Sequence, residues 1–174
     1  MKQKLFFTLI LAISFTACEP VEKSVGFTNW SDDGSEYKFF LGTESSIDVV
    51  MAFDAAAQAK TYDNFREIFV DSAIFTYQNG VTHTLDQFIA MNQNRDSLLL
   101  ANEATLKWTP QNAFSVDIDP KRGGEHVNMM YKGEYIDDDE KSQFYANLWF
   151  YVVDGKIVMV NQYNQNVLQE QDSE

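Results

Sequence analysis

A few polar side chains in this sequence are of the types that do chemistry in proteins. Asp54 lies among apolar residues of a predicted helix, where a buried carboxylate would have a raised pKa and could serve as a general base. Tyr131, Asn161 and Tyr163 lie in predicted strands and could hydrogen-bond an oxygen of a ligand. The alternative is structural: Asp54 in water at the helix edge, and the other three groups bonded to one another or to water. Residue type alone leaves both interpretations open.

The sequence predicts no metal site and no cofactor. His83 and His126 are the only histidines, and neither is paired with a glutamate four residues away. Zinc needs three or four converging ligands. The four consecutive acids at 137–140 lack the glycine-aided turn of a calcium loop and are more typical of a solvated hairpin tip. A phosphate-binding loop and a dinucleotide-binding motif are also absent from the sequence.

The N-terminus, MKQKLFFTLILAISFTAC, has the layout of a secretory signal peptide. Its apolar run, from Leu5 to Phe15, is too short to span a membrane. Cys18 is the only cysteine and follows Ala17, as in a bacterial lipobox, where cleavage precedes a cysteine that becomes acylated. An ordinary signal peptide with an incidental cysteine is the alternative. We expect a signal peptide over residues 1–17, lipidation at Cys18, and attachment to the inner or outer membrane in a Gram-negative cell envelope.

The chain is acidic, with a net charge of −13 over 174 residues. Removing residues 1–17 leaves 11 basic residues against 26 acidic ones, a net charge of about −15. Such a surface argues against binding nucleic acid and against direct adhesion to anionic lipid headgroups. The lipid itself would therefore be the only membrane contact.

Hydrophobic periodicity divides the mature chain into a helical half and a strand half. Residues 18–42 are expected to be a tether, with a short packing segment at 37–41. One folded domain follows at 43–167, and then an acidic tail at 168–174. Capping boxes at Ser45–Asp48 and Thr84–Gln87 predict the starts of two helices, the second running to about Ala101. A short helix at 63–69 and a strand at 73–77 lie between them.

After residue 104 the period changes from 3.6 to 2. Strands are predicted at 105–109, 113–118, 125–136, 142–153 and 156–164, with turns at 137–140 and at Asp154-Gly155. Helices followed by an antiparallel meander indicate an α+β domain with helices on one face of a curved sheet.

Both faces of the last hairpin are largely apolar. Pairing Val153 with Lys156 across a two-residue turn assigns every later residue to a face. One face then carries Met159, Asn161 and Tyr163, and a four-residue turn at 137–140 puts Met129 and Tyr131 of strand 125–136 on the same face. We predict that this face is concave, lies under the helices and lines a pocket.

The other face is aromatic and rich in amides, a composition typical of protein interfaces. We predict that it forms a homodimer through Trp149, Tyr151, Val158 and Val160. Cover by residues 19–42 of the same chain is the alternative.

Several segments resemble the nuclear transport factor two-like superfamily, and its SnoaL-like branch in particular. They are FDAAAQAKTYDNFREIFVDSAIF at 53–75, NGVTHTLDQFIAM at 79–91 and DGKIVMVNQY at 154–163. The resemblance covers about residues 45–165. It implies a cone-shaped curved antiparallel sheet wrapped around a long N-terminal helix plus two further helices, with a pocket between them and commonly a dimer through the sheet.

The superfamily includes ketosteroid isomerases, polyketide cyclases and many members without chemistry, so the fold does not settle the function. The resemblance places the isomerase's catalytic tyrosine position at Phe53 and its general-base position at Tyr77. Its third acid belongs in strand 142–153, which contains no Asp or Glu. None of the three positions therefore carries the catalytic residue.

These observations favour a lipid-anchored SnoaL-like domain without recognisable catalytic residues. It would bind a small apolar molecule near Phe53, Met129, Tyr131, Met159, Asn161 and Tyr163, or act as a dimeric interaction module. The alternative is an enzyme of cyclase, dehydratase or isomerase type that uses Asp54 with Tyr131 and Tyr163. An open cavity containing a desolvated carboxylate would favour the enzyme, whereas a cavity filled by Phe53, Met129 and Met159 would exclude it.

Overall fold

The computed structural model describes residues 25–26, 28–30, 33–118, 123–137 and 141–166. The predicted signal peptide, Cys18 and the acidic tail lie outside these residues, as does most of the predicted acidic hairpin tip. In the part that is described, no helix combines the length and the apolar character that crossing a membrane requires.

Three α-helices are present: α1 at Glu44–Gln58, α2 at Phe65–Ile68 and α3 at Leu85–Ala101. A 3₁₀ turn, Tyr62–Asn64, precedes α2. The capping box predicted for α3 is confirmed: the Gln87 amide N–H donates to Thr84 Oγ1, and the Thr84 amide N–H donates to Gln87 Oε1 at 2.9 Å. Reciprocal bonds of this kind satisfy amides that the first turn of a helix leaves free.

The capping box predicted at Ser45–Asp48 was wrong. Helix α1 begins at Glu44, and its N-cap residue, Thr43, makes no side-chain capping bond. The carboxylate of Glu125, a residue distant in sequence, instead accepts from the Thr43 amide at 2.6 Å and from Ser115 Oγ at 2.7 Å. Burial alone would raise the pKa of Glu125, but these hydrogen bonds hold it below its ordinary value. The start of α1 is therefore fixed to the sheet by a non-local cap.

The main sheet has seven strands in the spatial order β3-β6-β7-β8-β9-β4-β5. Their bounds are β3 Phe40–Leu41, β4 Phe69–Tyr77, β5 Thr82–Thr84, β6 Thr105–Asp117, β7 Glu125–Ile136, β8 Lys141–Val153 and β9 Lys156–Asn166. A separate hairpin pairs β1, Thr28–Trp30, with β2, Glu36–Lys38. Part of the segment predicted as a tether is thus strand, and its end, β3, pairs with β6 at the sheet edge.

One pair in the sheet, β4 with β9, is parallel, so the sheet is mixed rather than wholly antiparallel. Periodicity carries no information on the direction in which two distant strands pair. The two strands predicted at 105–109 and 113–118 are a single strand, β6, which has an irregular register between Pro110 and Asn112. Proline has no N–H for the ladder, which explains an interruption at that point.

The two-residue turn at Asp154-Gly155 is confirmed. Both residues have positive φ, 49° and 73°, and Val153 pairs with Lys156. The register shifts directly after this start: Val152 pairs with Ile157, whereas Tyr151 pairs with Met159. Val158 is therefore an extra residue, a β-bulge.

This bulge reverses the faces of the rest of β9. Val160 pairs with inward-facing Phe150 and is 4% exposed, so its predicted place on the outer face was wrong. Met159, Asn161 and Tyr163 lie on the outer face, so their predicted place on the inner face was also wrong. One inserted residue displaces a period-two pattern by one position. The alternation could not reveal the insertion because both faces of this hairpin are apolar.

The core is an aromatic cluster centred on Phe53 of α1. Its ring centroid lies 5.2 Å from that of Phe65, 5.4 Å from Phe69 and 5.5 Å from Phe150. Phe88 of α3 lies 6.3 Å away. Burying each such ring contributes about 1.5–3 kcal/mol. The cluster joins all three helices to the inner face of the sheet, and the space towards the C-terminal ends of α1 and α3 is left unfilled.

Candidate functional site

A cavity of about 490 Å³ lies between the C-terminal parts of α1 and α3 and the inner face of the sheet. Its volume falls within the range of about 300–1,000 Å³ that is typical of small-molecule sites. The apolar part of its lining includes Phe53, Ala57, Phe88, Met91, Leu99, Ala104, Trp108 and Leu148. Its polar part includes Asp54, Lys60, Tyr77, Asn92, Arg95, Asp96, Tyr131 and Gln162.

Asp54 is the least usual group in this wall. It is 7% exposed, and its hydrogen-bond partners are neutral: the Gln58 amide donates to Oδ2 at 2.8 Å, and the Tyr131 hydroxyl is the second partner. Asp54 makes no ion pair with any of the described residues. A buried carboxylate without a cation is costly unless something else compensates for its charge.

The Tyr131 hydroxyl lies close to Asp54. Burial raises the pKa of Tyr131, and the charge of Asp54 together with a hydrogen bond to it raises it further. Met129 Sδ lies 3.1 Å from the same hydroxyl and is an alternative acceptor for its single proton. Tyr131 is therefore protonated at neutral pH and can act only as a neutral donor or acceptor.

Asp96 lies in the same cavity but has partners of the opposite kind. The Tyr62 hydroxyl donates to its Oδ2, Arg95 Nη2 lies 3.2 Å from Oδ1, and Lys60 Nζ lies 3.6 Å from Oδ2. Burial alone would raise the pKa of Asp96, but these partners outweigh it and hold the pKa below its ordinary value. Burial and the bond to Asp96 raise the pKa of Tyr62 to about 12.

The cavity thus contains two carboxylates in contrasting environments. Asp96 is ionised and bonded to the protein through both oxygens. Asp54 has neutral partners and can accept a proton or a hydrogen bond from a bound molecule, with Tyr131 beside it as a donor. Such a pair at the end of an apolar cavity could orient a ligand, or could move a proton on it.

The structure brings together some of the residues that were predicted to form the pocket. Phe53 and Tyr131 line the cavity, whereas Met129 is 1% exposed and packs in the core. The bulge places Met159 and Tyr163 on the opposite face of the sheet, where Tyr163 is 54% exposed. Asn161 pairs with Trp149 on that face.

Other cavity residues were not anticipated as site residues. Arg95 and Asp96 lie in α3, a helix whose mixed composition gave no sign of which polar groups face inward. Gln162 lies between Asn161 and Tyr163, so the predicted register put it on the outer face, and the bulge turns it inward, where it pairs with Leu148. Tyr77, which the family resemblance aligned with a catalytic position, lines the cavity, and burial raises its pKa to about 12.

The outer face of the sheet carries aromatic side chains, as predicted for Trp149 and Tyr151. The ring of Phe114, 43% exposed, meets Trp149 edge-on at 5.8 Å, and His126 stacks on Tyr151 at 4.6 Å. Burial lowers the pKa of His126. Across the ranges that the structure covers, no three His, Cys, Asp or Glu side chains are grouped in a way that could hold a metal ion.

No protein-family model matches the sequence, and no curated protein matches it. Solved structures do match. An LEH-like epoxide hydrolase from M. tuberculosis is 16% identical, with a TM-score of 0.54 over 71% of this chain and 84% of the other. A Kribbella flavida protein assigned as a ketosteroid isomerase is 11% identical, with a TM-score of 0.55 over 74% and 84%.

A Jannaschia protein assigned as a SnoaL-like polyketide cyclase is 15% identical, with a TM-score of 0.54 over 70% of this chain and 86% of the other. The chain therefore has the α+β cone fold of SnoaL-like and other nuclear transport factor two-like proteins, which confirms the fold that the sequence resemblance implied. At these identities the likeness concerns the fold, and the function has to be argued from the cavity.

The two cavity carboxylates are expected to respond in opposite ways to replacement by leucine. Asp54→Leu removes a buried carboxylate. Its partner Gln58 can turn to water and the Tyr131 hydroxyl can still donate to Met129 Sδ, so the free energy of unfolding should be unchanged or higher by about 1 kcal/mol. Asp96→Leu leaves Tyr62 and Arg95 without their acceptor and should cost about 2–4 kcal/mol. Urea denaturation at pH 7 measures both. An equal loss in the two variants would show that Asp54 supports the fold rather than a site.

Proposed function

We propose that this domain binds a small, mostly apolar molecule in the cavity, with Asp54 and Tyr131 contacting a polar group of that molecule. The observation that carries the proposal is the Asp54 carboxylate, buried in the cavity wall without a cation. Neutral donors compensate for a buried carboxylate less well than a cation does, and a ligand with an O–H or N–H would supply a further donor. The solved structures with this fold include proteins named for enzymatic activities, which supports a role for the cavity.

Filling the cavity should abolish binding. Ala57 lines the cavity on α1, so Ala57→Phe would occupy the space of a ligand. Ala55 lies on the exposed side of the same helix, so Ala55→Phe is a matched control. With the neutral fluorescent probe N-phenyl-1-naphthylamine, we expect saturable binding to the wild type and to Ala55→Phe, and at least tenfold weaker binding to Ala57→Phe. Equal binding to all three proteins would place the probe elsewhere.

A second candidate is an enzyme that moves a proton on its ligand, and the same buried Asp54 favours it. Asp54 would be the general base and Tyr131 would donate a hydrogen bond to the developing oxyanion. Tyr163 has no part in this candidate, because it lies on the other side of the sheet. The cavity is open and its wall contains the buried Asp54 carboxylate, which is the outcome that the sequence analysis expected to favour an enzyme.

Deuterium exchange distinguishes the enzyme from the binding protein. If Asp54 is a base, the protein should accelerate exchange at the α-carbon of 4-phenyl-2-butanone in D₂O. Asp54→Asn should then lower that rate by about 10²-fold or more, whereas Asp71→Asn, an exposed acid on β4, should not. NMR follows the exchange. A rate equal to that of buffer would remove the enzyme candidate for carbonyl substrates and leave the binding role intact.

The outer face of the sheet is proposed to form a homodimer. This face carries Trp149, Tyr151, Val158 and Phe114. The bulge adds Met159, Asn161 and Tyr163 to it. Phe114→Glu should halve the mass measured by light scattering, because a charge on an aromatic interface opposes association. Leu100→Glu is the control, since Leu100 is 82% exposed and lines the cavity rather than this face. The exposed part of the cavity lining, which includes Leu100 and Lys60, is called the mouth. A mass that does not change in Phe114→Glu would count against the dimer.

Anchoring through Cys18 to a membrane of the cell envelope is likewise proposed, on the sequence of the N-terminus. An alkyne-labelled fatty acid fed to expressing cells should become attached to the wild-type chain and not to Cys18→Ser. Labelling that survives the substitution would contradict the anchor.

A further inference from the structure

Lys60 has a backbone conformation that disfavours lysine. Its φ is +58°, and it follows α1 at the position where glycine commonly ends a helix. The Lys60 amide donates to Ala57 O at 3.1 Å and the Thr61 amide to Ala56 O at 2.9 Å, the bond pattern of that helix ending. A side chain in the left-handed region destabilises the fold relative to glycine. The presence of lysine here therefore needs an explanation outside the helix ending itself.

The ion pair with Asp96 does not supply that explanation. Lys60 Nζ is 3.6 Å from Asp96 Oδ2, and the lysine side chain is 60% exposed, so water screens the pair. Asp96 also has closer partners: the Tyr62 hydroxyl occupies Oδ2, and Arg95 occupies Oδ1 at 3.2 Å. Lys60 is thus a second cation beside a carboxylate that already has one.

The lining of the cavity carries an excess of positive charge. Its cations are Lys60, Arg95 and Lys107, and its anions are Asp96 and the buried Asp54, three against two, in a chain whose net charge is −13. Arg95 uses Nε and Nη2 for Asp96, and its Nη1 has no acceptor among the residues that the structure describes. A guanidinium with a free donor beside an ammonium group matches the geometry and charge of a carboxylate.

We propose that Lys60 and Arg95 bind the carboxylate of an amphipathic acid whose apolar body occupies the cavity. This inference rests on the proposed binding function and adds the chemical class of the ligand. The buried Asp54 carboxylate repels a second anion, so it directs the acid group of the ligand to the mouth. The apolar body then points inward, together with any O–H or N–H that Asp54 and Tyr131 would contact. The pairing of a cationic mouth with an anionic interior thereby fixes the orientation of the ligand as well as its class.

Three probes of the same chain length test the charge preference: dodecanoate, 1-dodecanol and dodecyltrimethylammonium. Binding is measured by calorimetry, below the aggregation concentration of each probe, on the chain from Glu19 onward, which keeps every described residue. We expect dodecanoate to bind at least tenfold more tightly than dodecanol, and the ammonium compound to bind most weakly.

Lys60→Gly and Glu103→Gly form a matched pair of variants. Both residues have positive φ at the end of a helix, 58° and 53°, so glycine should raise the thermal midpoint in each. Lys60→Gly should reduce the preference for dodecanoate over dodecanol at least fivefold, with the affinity for dodecanol unchanged. Glu103→Gly should leave both affinities as in the wild type, because Glu103 does not line the cavity.

The outcomes separate this inference from the proposed function. If dodecanol and dodecanoate bind equally well, or if Lys60→Gly keeps the preference, the acid site is overturned and the apolar cavity stands. Tighter binding of the ammonium compound would overturn the acid site in favour of a cation paired with Asp54. Failure of all three probes to bind would overturn both proposals.

Discussion

Packing of Phe53 against rings from α2, α3, β4 and β8 is the interaction on which the rest of the structure depends. It holds the middle of α1 across the curved sheet, while the Glu125 carboxylate fixes the start of the helix. The aromatic cluster fills the space under one part of the sheet and leaves the C-terminal ends of α1 and α3 apart. The cavity therefore begins where the aromatic side chains end, and Asp54, the residue after Phe53 on α1, lines it.

The polar groups of the cavity divide into those that the protein satisfies and those that it does not. Asp96 accepts a hydrogen bond from the Tyr62 hydroxyl and lies beside two cations, Arg95 and Lys60, so its ionised form is stabilised within the fold. Asp54 has only neutral hydrogen-bond partners, the exposed amide of Gln58 and the hydroxyl of Tyr131. Lys60 has a strained backbone, and water screens its ion pair with Asp96. Groups that lower the stability of the free protein are expected at functional sites, because a bound molecule can compensate for that loss of stability. We interpret Asp54 and Lys60 in this way, since both line one cavity, in which Asp54 is buried and Lys60 is exposed.

Much of the fold could be predicted from the sequence because local signals were strong. The Thr84 capping box, the Asp154-Gly155 turn and the change from period 3.6 to period 2 each correspond to structure in the expected place. The bulge at Val158 could not be predicted, because a hairpin that is apolar on both faces gives the same alternation in either register. The parallel pairing of β4 with β9 is a tertiary feature with no local signal. The same holds for Arg95 and Asp96, which become cavity residues only through the way α3 packs.

The cavity and the outer sheet face are separate surfaces, and the tryptophans distinguish them. Trp108 lines the cavity, Trp149 lies on the outer face, and Trp30 is 65% exposed in β1. The most direct test is to follow the three indole N–H resonances by ¹⁵N NMR while 1-dodecanol is added. Binding in the cavity should shift the Trp108 resonance and leave those of Trp149 and Trp30 in place. A Trp108 resonance that does not move, or a shift confined to Trp149, would contradict a ligand site under the helices.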